Sequence, residues 1–136
     1  DKVSSLYRSK SLLKDNQPDY LNFVCTATTN LEPFELLDYL KHIEVLYGRK
    51  NIAERWQERT IDIDIIDYNG EVLNSDRLTL PHREMQNRPF VLLPMRDIVP
   101  NYRSPITKFD LQQLCSMLTD MLEIKKEERG DNLWLS

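Results

Sequence analysis

The sequence predicts an α+β domain built on a mostly antiparallel sheet. Three observations carry this. Apolar and polar residues alternate over residues 20–29 and again over 60–68. A stripe of apolar residues at helical spacing runs between Pro33 and Tyr47. The pair Asn69-Gly70, a strong two-residue hairpin signal, follows the second alternating run. With 136 residues the chain has the size of one domain, and 40% hydrophobic content is enough for a core.

The elements follow in order. VSSLYR, residues 3–8, reads as a short strand, and residues 9–19 as a loop ending near Pro18. In the strand over 20–29, Leu21, Phe23, Cys25 and Ala27 form the expected apolar face; Tyr20, Asn22, Val24, Thr26 and Thr28 form the other. Pro33 suits a first helical turn and Gly48 the position just past the end, so a helix is expected over 33–47. Its core stripe would be Phe34, Leu36, Leu37, Leu40, Ile43 and Leu46. GRKNIAERWQER is a polar loop rich in Arg and Lys. The Ile-rich strand Thr60–Tyr68 comes next, turning through Asp67-Tyr68-Asn69-Gly70 into a return arm at Glu71–Leu73. RLTLPHREMQNRPF reads as irregular, with Pro81 and Pro89 as breakers. Pro89 can open a short helix through Asp97, kinked at Pro94. A last amphipathic helix is expected over 108–123, with Phe109, Leu111, Leu114, Leu118, Met121 and Leu122 apolar. The order is β-β-α-β-β-α-α. Residues 1–124 make the domain, and 125–136 a mobile charged tail.

Composition narrows the function classes. A net charge of −4 supplies no basic field for nucleic acid. Cys25 and Cys115 lack motif spacing and read as buried thiols of a reducing compartment, with a disulfide as the minor alternative. Neither a signal peptide nor an apolar run of membrane-spanning length is visible, so a soluble, cytoplasmic protein with no membrane partner is expected.

RTIDIDIIDYNG, residues 59–70, carries the chemistry. Ile61, Ile63 and Ile65 share one parity, Asp62 and Asp64 the other; Asp67 belongs to the turn. Two carboxylates on one side of a strand can hold Mg²⁺, which takes one or two protein carboxylates and completes its shell with water and phosphate oxygens. Two such ions would clamp attacking and leaving oxygens. Alone, a D-x-D pair is more often a solvated face whose charge opposes aggregation. The surroundings tip the balance, because Arg49, Arg55, Arg59, Arg77 and Arg88 crowd the same half of the chain, with Lys50, His82 and Arg83. Arginines bind phosphate bidentately and are always charged. No Walker A loop and no G-x-G-x-x-G are present, which excludes a P-loop NTPase. His42 and His82 are the only histidines, and no cysteine pair supports zinc. Tyr20, Asn22, Trp56 and Phe90 offer aromatic planes and an amide edge to a heterocycle, although Tyr20 and Phe90 also read as core residues.

Together these segments resemble one family, the 6-hydroxymethyl-7,8-dihydropterin pyrophosphokinases of folate synthesis. The resemblance rests on SSLYRS (residues 4–9), QPDYLNFV (17–24), IEVLYGR (43–49) and the run from Glu54 to Pro100 with its R-T-x-D-x-D-I, L-P-H and N-R-x-F cores. It implies a ferredoxin-like fold, a mostly antiparallel sheet with helices on one or both faces. It also implies Mg²⁺-dependent transfer of pyrophosphate from the co-substrate ATP to the pterin's hydroxymethyl group, giving AMP. Asp62 and Asp64 match the pair that binds two Mg²⁺ ions, and Arg49 and Arg59 match phosphate-contacting arginines. Leu37, Lys41, Glu44, Ile65, Arg77, Leu78, Thr79, His82 and Arg88 fall at nucleotide positions. Ser9, Lys10, Leu12, Tyr20, Asn22, Trp56 and Phe90 fall where the pterin is held. Lys41 stands where several members have Gln, Asn51 where Arg is frequent, Ser9-Lys10 in place of Thr-Pro, and Arg83 in place of Tyr. The family opens with a strand bearing a Gly-Ser-Asn type turn and then a helix. The chain begins beyond both, so the domain is expected to be N-terminally incomplete and, as a piece, unstable alone, with its activity as a piece left open. Fusion to, or pairing with, another folate enzyme is left open. Two rival readings stay beside this one. A palm-like nucleotidyltransferase would need a polymer acceptor, which the acidic balance disfavours; a non-catalytic binding module would have no use for the aspartates and arginines together.

Overall fold

The computed structural model describes residues 1–9, 20–47, 61–118 and 124–126. They form helices and small antiparallel sheets, an α+β arrangement in two compact units, Thr29–His82 and Asp1–Thr28 with Arg83–Ser136.

In the Thr29–His82 unit, helix α1 spans Pro33–Tyr47 as expected. Pro33 occupies the first turn, where its missing N–H costs nothing. The Glu35 carboxylate accepts the Glu32 N–H at 3.1 Å, and Glu32 C=O accepts the first helical bond from Leu36 at 2.8 Å. Leu36, Leu37 and Leu40 pack on a core of Ile65, Leu78 and Leu80, joined by Tyr68 and Leu73. The apolar stripe is shorter than its periodicity suggests. Leu46 is exposed, and Phe34 carries the Arg77 guanidinium 5.6 Å above its ring. The core lies against the first half of the helix; in the second half the buried residue is Glu44.

Residues 61–67 keep the expected alternation: Ile61 and Ile63 half-buried, Ile65 buried, Asp62 and Asp64 exposed. They do not form the expected ladder among the described residues. Ile63 N–H instead donates to the Glu44 carboxylate at 3.3 Å, and Ile66 C=O accepts His82 N–H at 2.8 Å. A helix side chain and a loop amide thus take bonds that a neighbouring strand would otherwise supply. The turn is offset by one residue from the expected one. Its central residues are Asn69 (φ 52°) and Gly70 (φ 70°), closed by Glu71 N–H donating to Tyr68 C=O at 2.9 Å. Positive φ at both positions is the signature of a type I′ turn. The Asp67 carboxylate accepts Gly70 N–H at 3.0 Å. A Cβ built on Gly70 meets nothing within 4 Å, so Gly70→Ala adds backbone strain alone. We expect a stability loss of about 1 kcal/mol in urea denaturation.

The return arm pairs elsewhere than expected. With strands numbered along the whole chain, β5 (Leu73–Asn74) runs antiparallel to β6 (Thr79–Leu80), matching Leu73 with Leu80 and Asn74 with Thr79. The segment read as irregular therefore contains a strand. Ser75 makes the tight reversal: its hydroxyl donates to Leu78 C=O at 2.9 Å and accepts Leu78 N–H at 3.1 Å.

In the other unit, β1 (Lys2–Val3) pairs antiparallel with β4 (Cys25–Thr26). Strand β2 (Tyr7–Ser9) lies between β3 (Tyr20–Asn22) and β7 (Ile124–Lys126). Both strands expected from sequence are thus split in two. The inward face of residues 21–26 is opposite to the one expected. Leu21 and Phe23 are 52% and 43% exposed, and the Cys25 thiol, expected buried, is exposed too; Asn22, Val24 and Thr26 are the better covered parity. The register explains this, because Asn22 lies directly across from Tyr7, whose ring is buried. Directly opposed residues share a face. Cys115 is half-buried, and burial pushes its thiol pKa up.

Helix α2 runs Pro89–Ile98 with Pro89 in the first turn and Pro94 inside it, one residue longer than expected. Helix α3 spans Leu111–Ser116, starting later than the expected 108 and ending before Met117 and Leu118; residues 119–123 of the expected helix lie outside the described residues. Lys108 has a φ of 67°, which no helix continues, and Asp110 forms a capping box with Gln113 through bonds of 2.8 and 2.9 Å. Leu92, Leu111 and Leu114 are fully buried, with Met85, Val91, Met95 and Ile98 close to it. Lys125 and Lys126, assigned from sequence to a charged tail, form β7 with Ile124, because the ladder to β2 needs only backbone groups.

Candidate active site

The Thr29–His82 unit assembles the acidic pair with several of the nucleotide-binding candidates. Asp62 and Asp64 project on the exposed side of the segment whose other side anchors in the Ile65–Leu78–Leu80 core. His82 follows β6 by two residues, and its backbone bond to Ile66 holds it beside Asp64. Its Nε2 is 3.9 Å from Asp64 Oδ2, with side-chain exposures of 21% and 50%. That is an electrostatic contact, attractive when the imidazole is protonated, and longer than a hydrogen bond.

Among the described residues of this unit the Glu44 side chain is buried, at 1% exposure. It lies in the last turn of α1, where its Oε1 accepts Ile63 N–H and lies 3.9 Å from Lys41 Nζ. The residue between the two aspartates is therefore tied to the helix. Arg77 is exposed; its guanidinium pairs with Asp38 and lies over Phe34. Exposed pairs of this kind contribute ~1 kcal/mol or less, and a guanidinium has five donors, so these contacts do not commit it. Leu37, Ile65 and Leu78 fall in one apolar cluster, and Thr79 is half-buried beside them on β6.

The donor chemistry suits Mg²⁺. Asp62 and Asp64 supply hard carboxylate oxygens at the surface, and among the described residues no cluster of three or more His, Cys, Asp or Glu forms. An ion held here would complete its shell with water and phosphate oxygens, the usual habit of Mg²⁺.

The other unit carries the remaining described candidates. In the β2–β3 ladder Ser9 is opposite Tyr20, and Tyr7 opposite Asn22. Arg88 precedes the first turn of α2, and its guanidinium lies 5.5 Å from the centre of the Phe90 ring. Lys10, Leu12, Arg49, Trp56 and Arg59 lie outside the described residues. Sequence reasoning missed the Asp38 and Phe34 contacts of Arg77. It also missed a buried group on Tyr7. The Tyr7 hydroxyl donates to Asp97 Oδ2 at 2.9 Å, and the same carboxylate oxygen accepts Ser5 N–H at 3.3 Å. Nothing local signals that pairing, since its partners are 90 residues apart.

Residues 1–100 match the family model described as 7,8-dihydro-6-hydroxymethylpterin-pyrophosphokinase (HPPK). A 2-amino-4-hydroxy-6-hydroxymethyldihydropteridine pyrophosphokinase of Haemophilus influenzae is 41% identical over 123 residues, covering 90% of this chain and 76% of its own. A protein of the same name from Synechocystis is 44% identical over 105 residues, 77% of this chain and 53% of its own. The folic acid synthesis protein FOL1 of Dictyostelium discoideum is 42% identical over 103 residues, which are 76% of this chain but 16% of that protein.

Proposed function

The chain belongs to the 7,8-dihydro-6-hydroxymethylpterin-pyrophosphokinase family, and from that membership we propose the reaction it performs in folate biosynthesis. Pyrophosphate passes from ATP to the hydroxymethyl group of 6-hydroxymethyl-7,8-dihydropterin. The hydroxyl oxygen forms a bond to the β-phosphorus, the bridge between the α- and β-phosphates breaks, AMP leaves, and the hydroxyl proton is lost. The observation that carries this is the pair Asp62 and Asp64, both exposed on one side of a segment whose opposite side is anchored in the core, with His82 beside them.

Such a transfer needs positioning and charge neutralisation more than covalent help. Asp62 and Asp64 would hold Mg²⁺, two ions in this reading. When bound, Mg²⁺ draws charge from the phosphate oxygens. His82, Arg77 and Arg88 would donate hydrogen bonds to phosphates, as would Arg49 and Arg59. Leu37, Ile65 and Leu78 present apolar surface to the adenine; Thr79, Lys41 and Glu44 complete the nucleotide side. Asn22 would read the edge of the pterin through its amide, with Tyr20 and Phe90 stacking on its plane. Ser9, Lys10 and Leu12 would border that pocket. Trp56, outside the described residues, would shield ATP from water.

The same proposal takes in a ferredoxin-like arrangement of the domain and a cytoplasmic setting. The described helices include none long and apolar enough to cross a membrane. The FOL1 relative is much longer than this chain, which supports the reading that such a domain also works joined to other folate enzymes. The test is product analysis with ATP, Mg²⁺ and 6-hydroxymethyl-7,8-dihydropterin. AMP formed in step with pterin diphosphate is the expected outcome; ADP with a pterin monophosphate would overturn the proposal.

A further inference from the structure

The hydroxyl of the buried Tyr7 has no part in the chemistry above, yet it joins elements that carry four of the pterin-side candidates. Tyr7 lies on β2 directly across from Asn22, and two residues before Ser9, which is opposite Tyr20. Its ring is buried against α2, the helix that bears Phe90 in its first turn. The hydroxyl donates to the Asp97 carboxylate at 2.9 Å and stands 3.5 Å from Leu93 C=O, both on that helix. Asp97 also accepts Ser5 N–H, at 3.3 Å, so one carboxylate grips the chain both at Tyr7 and just before β2. Burial first, and then the bond to Asp97, push the Tyr7 pKa up to about 12, which keeps the hydroxyl a neutral donor over the physiological range.

We propose that Tyr7 is a positioning residue for the pterin: its bond to Asp97 fixes the β2–β3 pair, with Ser9, Tyr20 and Asn22, in register with Phe90 on α2. The inference rests on the pterin assignment proposed above. Stacking and edge recognition of one flat ring need these two elements held to a fraction of an ångström. A hydrogen bond to an ionised acceptor is the strong kind, and directional enough to set that spacing.

Tyr7→Phe keeps the buried ring and removes only the oxygen; Asp97→Asn keeps an acceptor oxygen but removes the charge. The expected result is a rise of ~10-fold in the pterin KM for Tyr7→Phe, a smaller rise for Asp97→Asn, and an ATP KM changed by less than about twofold in both. A merely structural bond would lower the melting temperature and leave the two KM values in their original ratio. That outcome overturns the proposal, as does a rise of both KM values together. If Tyr7→Phe does not fold, Asp97→Asn and Asp97→Ala are compared by the same ratio. Asn22→Ala separates the two levels of the argument. A raised pterin KM there with an unchanged ratio in Tyr7→Phe removes only the positioning role. An unchanged pterin KM in Asn22→Ala removes the pterin assignment, and the positioning role with it.

Discussion

Asp64→Asn should lower the rate of AMP formation by ~10²–10³-fold and leave the fold intact. The amide has nearly the shape of the carboxylate, so the change is one of charge and of metal affinity. Asp64 is half-exposed. Substitutions at such surface sites usually change stability by about 0.5 kcal/mol or less. Loss of rate with an unchanged urea midpoint therefore isolates the chemistry. Removing the adjacent charge in Asp62→Asn should act similarly, and raising Mg²⁺ should recover part of either loss. Asp67→Ala is the control from the same short stretch. Asp67 serves the turn, where its carboxylate accepts Gly70 N–H at 3.0 Å, so its loss should cost stability and not rate. Normal turnover and normal Mg²⁺ dependence in Asp64→Asn would remove the metal assignment.

Leu80→Ala should destabilise the protein by about 3 kcal/mol, seen as a lower urea midpoint with an unchanged slope. Leu80 is 1% exposed and belongs to the cluster with Ile65 and Leu78, against which Leu36, Leu37 and Leu40 of α1 pack. Truncation removes three carbons and leaves a cavity between a short strand pair and a helix. A loss of that size is a large share of the ~5–15 kcal/mol that holds a domain folded. The consequence reaches the site, because Ile65 follows Asp64 and Leu80 lies two residues before His82. Val72→Ala removes two carbons at a position 61% exposed, and should move the midpoint hardly at all. Equal effects of the two substitutions would show that the Leu80 cluster is not a core.

Much of the site was legible in the sequence because its signals are local. The limits of α1 follow from Pro33 and from a stripe repeating every three or four residues. Asn69-Gly70 makes a positive-φ turn because few other pairs tolerate it. The parity that separates Asp62 and Asp64 from Ile61, Ile63 and Ile65 is a property of extended backbone, and it survives although these residues form no ladder among those described. The family followed from runs of residues, and the match over residues 1–100 agrees with it.

Other features needed the folded chain. Alternation over 20–28 marks two faces but not which is inward; Tyr7, Asn22 and α2 decide that, and they leave Leu21 and Phe23 outside. Apolar periodicity ran through 108–123, yet the left-handed Lys108 and the Asp110 cap begin the helix later, and it ends at Ser116. The sequence by itself determined the family, the acidic pair and its parity, the first helix and the Asn69-Gly70 centre of the turn, since each is written in short runs of neighbouring residues. Only the tertiary structure decided which faces are covered, that Glu44 on α1 takes the Ile63 amide, and that Asp97 holds Tyr7. Those choices depend on partners 19 and 90 residues away, and no local pattern encodes which distant group a buried polar atom will meet.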